Sequence, residues 1–272
     1  MSTTRASVRR LRALAAALAC AAALAMAAGA FSPAAGTRVE LAEGLAGPSA
    51  SHPLGQDKLG RDVLARVLAG ARVSLTVALA AVTVSVTIGT GVGALAGFAG
   101  GMTDLALMRV VDVLLAFPGL LLAIAMAGAL GPGTVNVIVA LSVIGWTGYA
   151  RLVRGEVRRI RAREHVEAAV ALGVPTRLVL TRHILPLVAA PVAVQATFGA
   201  AAAVVAEASL SFLGVGVQPP SPSWGSMLAE ARSFVVEAPH LVIAPGIAIT
   251  SFVLALHLLG DAMRDVLDVK TQ

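Results

Sequence analysis

The sequence predicts an all-α membrane protein of about six transmembrane helices with one helical, basic cytoplasmic loop. Three observations carry this. Of 272 residues, 57% are hydrophobic and only 13% charged, against about 25% charged in soluble domains. The apolar residues fall in long blocks, each near or above the roughly 17–25 residues a helix needs to cross a bilayer. Finally, the blocks are continuous Ala, Val, Leu and Ile with no period of two, so they do not read as barrel strands. In hydrocarbon that leaves helices, which satisfy every backbone group within the segment.

The first block, residues 11–31, follows Arg5, Arg9, Arg10 and Arg12 and reads as an uncleaved anchor. Small residues near Ala27 would also suit a cleaved leader, which would leave five spans. Residues 32–60, rich in Gly, Pro and Ser, resemble a linker. The division is then an anchor with an extracytoplasmic segment, 1–72, and a five-span core, 73–272. The second block, 73–98, contains no charge and places Gly89, Gly93 and Gly97 on one helix face, a spacing that permits close helix approach in lipid. The third, 110–130, is interrupted only by Asp112. The fourth, 135–150, is the shortest, and Trp146 and Tyr149 are expected at the headgroups as belt residues. Blocks at 187–206 and 241–260 complete the set.

Orientation follows from the cations. Residues 151–182 carry eight Arg against Glu156, Glu164 and Glu167, in a chain whose whole surplus is +6. By the positive-inside rule this connection and both termini are cytoplasmic. The loop at 32–72 would lie outside although it carries Arg38, Lys58, Arg61, Arg66 and Arg72, partly balanced by four acids. The cations sit beside membrane spans, where they set topology and meet anionic lipid, so the high isoelectric point does not indicate nucleic acid.

Several chemistries find no support. No Gly-x-x-x-x-Gly-Lys-Ser/Thr is present, so the chain lacks the phosphate-binding loop of an ATPase. No Gly-x-Ser-x-Gly elbow occurs. The five histidines are scattered, with no metal-ligand spacing, and Cys20 is the single cysteine. No catalytic residue, metal site or bound cofactor is expected. The spans also lack the mid-membrane acids of an ion relay. His257 reads as a hydrogen-bonded helix residue.

What remains is the stretch Glu167-Ala168-Ala169-Val170-Ala171-Leu172-Gly173, followed thirteen residues later by Pro186 in His183-Ile184-Leu185-Pro186. Residues 162–172 favour helix, Gly173 ends it, and Pro175 starts another turn. Residues 177–184 form a second piece, and Pro186 marks where the next span begins. With Ala168 and Ala169 exposed, such a helix suits docking into a groove on another protein, and a side chain at Gly173 would bring strain or a clash. The pattern resembles the EAA loop of permease subunits in bacterial ABC importers. The segments at 52–64 (His-Pro-Leu-Gly-Gln-Asp-Lys-Leu-Gly-Arg-Asp-Val-Leu), 70–75, 108–118, 207–228 and 258–268 resemble, in order, the C-type permease of the dipeptide/oligopeptide/nickel family. Gln56, His257 and Val269 depart from that family's usual Thr, Asn and Pro.

The resemblance implies a transport subunit that is not itself an enzyme. It would pair with a homologous second permease, two cytoplasmic ATPase subunits that hold the ATP, and an extracytoplasmic substrate-binding protein. Glu167, Ala168, Ala169, Gly173, Leu185 and Pro186 would couple it to the ATPases. Glu207, at the outer end of the fifth span, is a possible contact on the path, or a plain interfacial acid. The expected cargo is a di- or oligopeptide, with nickel as the alternative. A stand-alone secondary transporter would leave the EAA loop unexplained.

Overall fold

The computed structural model describes residues 38–268. Its main helices are α1 (Val63–Ala99), α2 (Gly101–Leu115), α3 (Gly119–Leu130), α4 (Thr134–Arg161), α5 (Glu164–Ala171), α6 (Leu185–Phe212), α7 (Trp224–Ala231) and α8 (His240–Asp268). Among the described residues four helical stretches are long and apolar enough to cross a membrane: α1, α4, Thr176–Phe212 and His240–Leu267. The pair α2–α3 makes a fifth if it is one broken span. The first expected span, 11–31, lies outside the described residues.

The third expected span is corrected. In place of one helix over 110–130, α2 and α3 meet at 84°. Phe117-Pro118 is the cause. Proline has no N–H to continue the ladder, and it pushes the preceding residue out of the helical region. Helix α2 also begins earlier than the apolar run, at Gly101 with Gly100 before it, both at positive φ. Its Asp104 is buried and takes a bidentate bond from Arg154 of α4, the Nη2 arm at 2.6 Å. Asp112 of α2 meets Arg151 at 2.6 Å. The two ion pairs link α2 to α4, the Asp104–Arg154 pair in the part of α2 where hydrophobicity alone marked no helix.

Helix α4 does not stop near residue 150 but runs on to Arg161, carrying its basic turns as helix rather than loop. The expected headgroup belt is not there either. Tyr149 is 4% exposed, its Cβ against Gly89 of α1 and its hydroxyl against α6 at Gly199. The glycine seam is the reason. A Cβ built on Gly93 would lie 2.5 Å from the Ala150 carbonyl oxygen, and one on Gly97 2.8 Å from that of Arg154. At Gly89 the obstacle is the Tyr149 Cβ, at 2.5 Å. Helices in lipid gain little from burying apolar surface against each other, so close backbone approach of this kind supplies the attraction.

At the end where α1 and α4 begin, residues 38–62 form a folded clasp. Helix α1 starts at Val63 with Asp62 as its N-cap, the Ala65 N–H donating at 2.7 Å, so the division between 72 and 73 falls inside a helix. Asp57 accepts backbone N–H groups from Leu59 (2.8 Å) and Arg61 (3.0 Å), the Arg61 Nε (2.6 Å) and a guanidinium nitrogen of Arg66. Glu230 on α7 accepts from Arg61 (2.7 Å) and from Arg66 (3.0 Å). Gln56, a departure from the family pattern, is buried and donates to the Gly60 carbonyl at 3.1 Å. Two acids and two guanidinium groups thus join the clasp, α1 and α7. Burial alone would raise both carboxyls, but for Asp57 the Arg61 and Leu59 N–H groups and the neighbouring cations outweigh it. For Glu230 the Arg66 hydrogen bond and charge do the same, and both lie below the usual carboxylate range.

Two expectations follow. Gly93→Val should destabilise the purified chain in detergent by about 1–3 kcal/mol or more through overpacking. Gly91→Val, where a Cβ meets nothing within 4 Å, should leave its melting temperature near that of the wild type; equal melting of the two variants would contradict the seam. Depressed carboxyl pKa values contribute stability that is present above the ordinary value of about 4 and lost as pH falls through the folded-state values. Exchange protection of residues 52–62 should therefore be flat from about pH 8 to pH 5 and fall below about pH 4. Arg66→Met, which leaves Arg61 as the one guanidinium shared by both acids, should cost about 3 kcal/mol and sharply reduce that protection at neutral pH. Unchanged protection in Arg66→Met would show that the ion pairs do not hold the clasp.

Candidate functional site

Helix α5 folds back against the end of α4. Glu164 and Glu167 occupy its first turn, where acids complement the N-terminal dipole. Val166 and Ala169, three apart on one face, turn inward. Val166 joins a buried cluster with Val153, Val157 and Ile160 of α4 and with Val179, Ile184 and Val188 below. This corrects the expectation that both alanines are exposed. Ala168 is exposed, whereas Ala169 is 7% exposed. The outer face carries Glu167, Ala168, Val170 and Ala171 and ends at Leu172, which is 84% exposed.

The helix ends in a Schellman arrangement. The Val174 N–H donates to the Ala169 carbonyl at 3.1 Å, and the Gly173 N–H to that of Val170 at 3.0 Å. This geometry places its glycine in the left-handed region, and Gly173 has φ +77°. Any side chain at Gly173 would therefore be strained, and no clash within this chain adds to that strain. A Cβ there meets nothing within 4 Å of this chain.

Pro175 then opens a turn, Thr176–Leu178, with the Leu178 N–H on the Pro175 carbonyl at 2.8 Å. A π-helical stretch, Val179–Ile184, leads without a break into α6. Pro186 lies in the first turn of α6, where a missing N–H is tolerated, and it is exposed. So Pro186 marks no break: the segment below Gly173 and the span are one helical stretch, Thr176–Phe212. Leu185 packs on the same cluster as Val166. The structure thus brings Glu167 to Gly173 and Leu185 into one packed unit between α4 and α6.

A groove of about 700 Å³ runs beside this unit, lined by Gly97, Phe98, Arg158, Arg161, Glu167 and Val170 among others. Arg161 donates to the Phe98 carbonyl and lies 5.0 Å over the Phe98 ring, pinning the end of α4 to the end of α1. Sequence reading missed the anchoring role of Val166 and the exposed knob at Leu172. The stripe Val166, Ala169, Val170 at helical spacing could have revealed the first.

Glu207 stands at the opposite end of α6 with no exposed surface. Its Oε1 accepts the Ser211 hydroxyl at 2.7 Å, and that hydroxyl oxygen in turn accepts the Val217 N–H at 3.1 Å. Oε2 is buried without a hydrogen-bond partner. Loop residues 213–223 and α7 close over it, with Gly225 packed on the Ala208 backbone. The acid is neither on an open path nor at an exposed interface in this structure. His257 donates from Nδ1 to the Val253 carbonyl at 2.9 Å and meets Phe198 edge-on, as its helical setting suggested.

Residues 89–272 match the family described as binding-protein-dependent transport system inner membrane component. The glutathione transport system permease protein GsiD of Pectobacterium atrosepticum is 46% identical over 224 residues, 82% of this chain and 74% of that protein. The dipeptide transport system permease protein DppC of Alkalihalophilus pseudofirmus is 41% identical over 226 residues, 83% of this chain and 74% of that protein. Matches of this length span the glycine seam, the basic segment and α5 together, and the chain belongs to the family of inner membrane components of binding-protein-dependent transport systems.

Proposed function

We propose that this chain is the permease subunit of an ATP-driven importer of di- or oligopeptides, and that residues 164–186 couple it to cytoplasmic ATPase subunits. The observation that carries the reading is α5 itself. It is a short helix anchored through Val166 and Ala169, with Glu167, Ala168, Val170 and Leu172 left free on its outer face. The positive-inside rule puts this basic end in the cytoplasm, and the clasp with α7 outside, beside a substrate-binding protein. A homologous second permease would complete the path. The names of the relatives, glutathione and dipeptide permeases, favour a peptide cargo over nickel.

The mechanics follow from continuity. A force on α5 passes through the Val166 cluster into α4 and into the start of the Thr176–Phe212 stretch. That stretch ends beneath the outer loop. Movement of the docked helix therefore tilts two spans about the seam with α1, as alternating access requires. The chain supplies the path and the lever, and the ATPase subunits supply the energy.

Gly173 tests the coupling. Gly173→Val forces a β-branched residue into a left-handed backbone, costing roughly 1–2 kcal/mol, and turns the exposed tip aside. Membrane insertion and pairing with the second permease should be normal, with uptake of a labelled dipeptide reduced about tenfold or more, equivalent to about 1.4 kcal/mol of coupling. Gly173→Asn should stay close to wild type, because Asn tolerates this backbone. Glu167→Lys should fall between. Wild-type uptake by Gly173→Val would show that the segment does not couple.

A further inference from the structure

A second cavity, of about 290 Å³, lies between α1, α3, α4 and α6, near the midpoints of α1, α4 and the Thr176–Phe212 stretch. None of its lining residues is charged, and most are Ala, Gly or Leu. Its polar groups are Ser85, Tyr149 and Gln195. Two glycines make room for the hydroxyls: a Cβ on Gly145 would lie 2.4 Å from the Ser85 oxygen, and one on Gly199 2.1 Å from the Tyr149 oxygen. The cavity opens where its lining residues Leu120 and Gly148 are exposed. Gln195 is exposed as well, although it sits mid-span, and it also lines a polar cleft of about 570 Å³ that leads to the basic end past Glu156, Arg159 and Arg264.

Resting on the importer reading above, we propose that this cavity and the cleft joined to it at Gln195 form this chain's wall of the cargo path. Its occupant is a short peptide held through its backbone amides. The Tyr149 hydroxyl already donates to the Gln195 carbonyl at 3.5 Å, but lipid tails or an apolar partner helix would offer nothing to the Ser85 hydroxyl or the Gln195 amide, an unfavourable arrangement at this depth. A peptide backbone offers donors and acceptors to match them. The volume is at the lower end of small-ligand sites, which suits a di- or tripeptide. The cavity itself carries no charge, so neither peptide terminus nor any particular side chain is fixed there; the charged groups, Glu156, Arg159 and Arg264, line the cleft. Passage is then tolerant of sequence and weakly binding, and Glu207, sealed beneath the outer loop, takes no part.

Gly148 gives the test, because a Cβ there meets nothing within 4 Å and points into open space. In the assembled complex, Gly148→Phe should lower labelled-dipeptide uptake at least tenfold while the second permease and the ATPases still co-purify. Gly91→Phe should transport normally. In a Cys20→Ser background, Gln195→Cys should react with a small hydrophilic thiol reagent, and saturating dipeptide with the binding protein should slow that reaction several-fold. Normal uptake by Gly148→Phe, or labelling of Gln195→Cys indifferent to peptide, would overturn the path. Loss of the second permease from Gly148→Phe would overturn it too, marking the wall as a subunit interface. A wild-type complex that imports no peptide would overturn the importer reading and this proposal together.

Discussion

Three glycines on α1 let its backbone lie against that of α4, and the rest of the molecule is arranged around that contact. At Gly89, Gly93 and Gly97 there is no room for a methyl group between the helices. In water such a pair would be held by buried side chains. In lipid the attraction comes from dispersion between closely approaching backbones, so it vanishes with a small increase in separation. The seam fixes α4, and α4 carries both the ion pairs that hold α2 and the surface on which α5 rests.

The two ends of the bundle are built differently. One is closed by charge: Asp57, Arg61, Arg66 and Glu230 bind the clasp to α7, and Arg66 is 4% exposed. Buried ion pairs add little net stability, but removing one partner is costly, so this network fixes one arrangement of that end. The other end is held by aliphatic packing under α5 and leaves an apolar tip exposed. One end is built to keep its shape, and the other leaves an apolar surface uncovered.

Much of this was legible in the sequence where a local rule governs. Continuous apolar runs marked the spans, four-residue glycine spacing marked the seam, and Gly173 followed by Pro175 marked the helix end. The break at Pro118 was less legible, because the run 110–130 is apolar on both sides of the proline and length outweighed the backbone argument. The first part of α2 was missed because Asp104 makes its start look polar, and only the Arg154 partner, fifty residues away, permits its burial. The inward turn of Ala169 needed the position of the α4 cluster. Glu207 was placed at the correct end of its helix, but its enclosure depends on a loop and α7 folding over it. The clasp network joins residues more than 160 positions apart and leaves no periodic trace.

Coupling through the exposed tip of α5 is the claim on which the functional account depends. Its most direct measurement is site-specific cross-linking in the assembled complex, from Leu172→Cys in a Cys20→Ser chain, with Val236→Cys as the comparison. Val236 is 98% exposed and lies between α7 and α8, at the opposite end of the bundle. The account predicts a cross-link from position 172 to an ATPase subunit and none from position 236. A cross-link from 236 to an ATPase subunit, with none from 172, would contradict it.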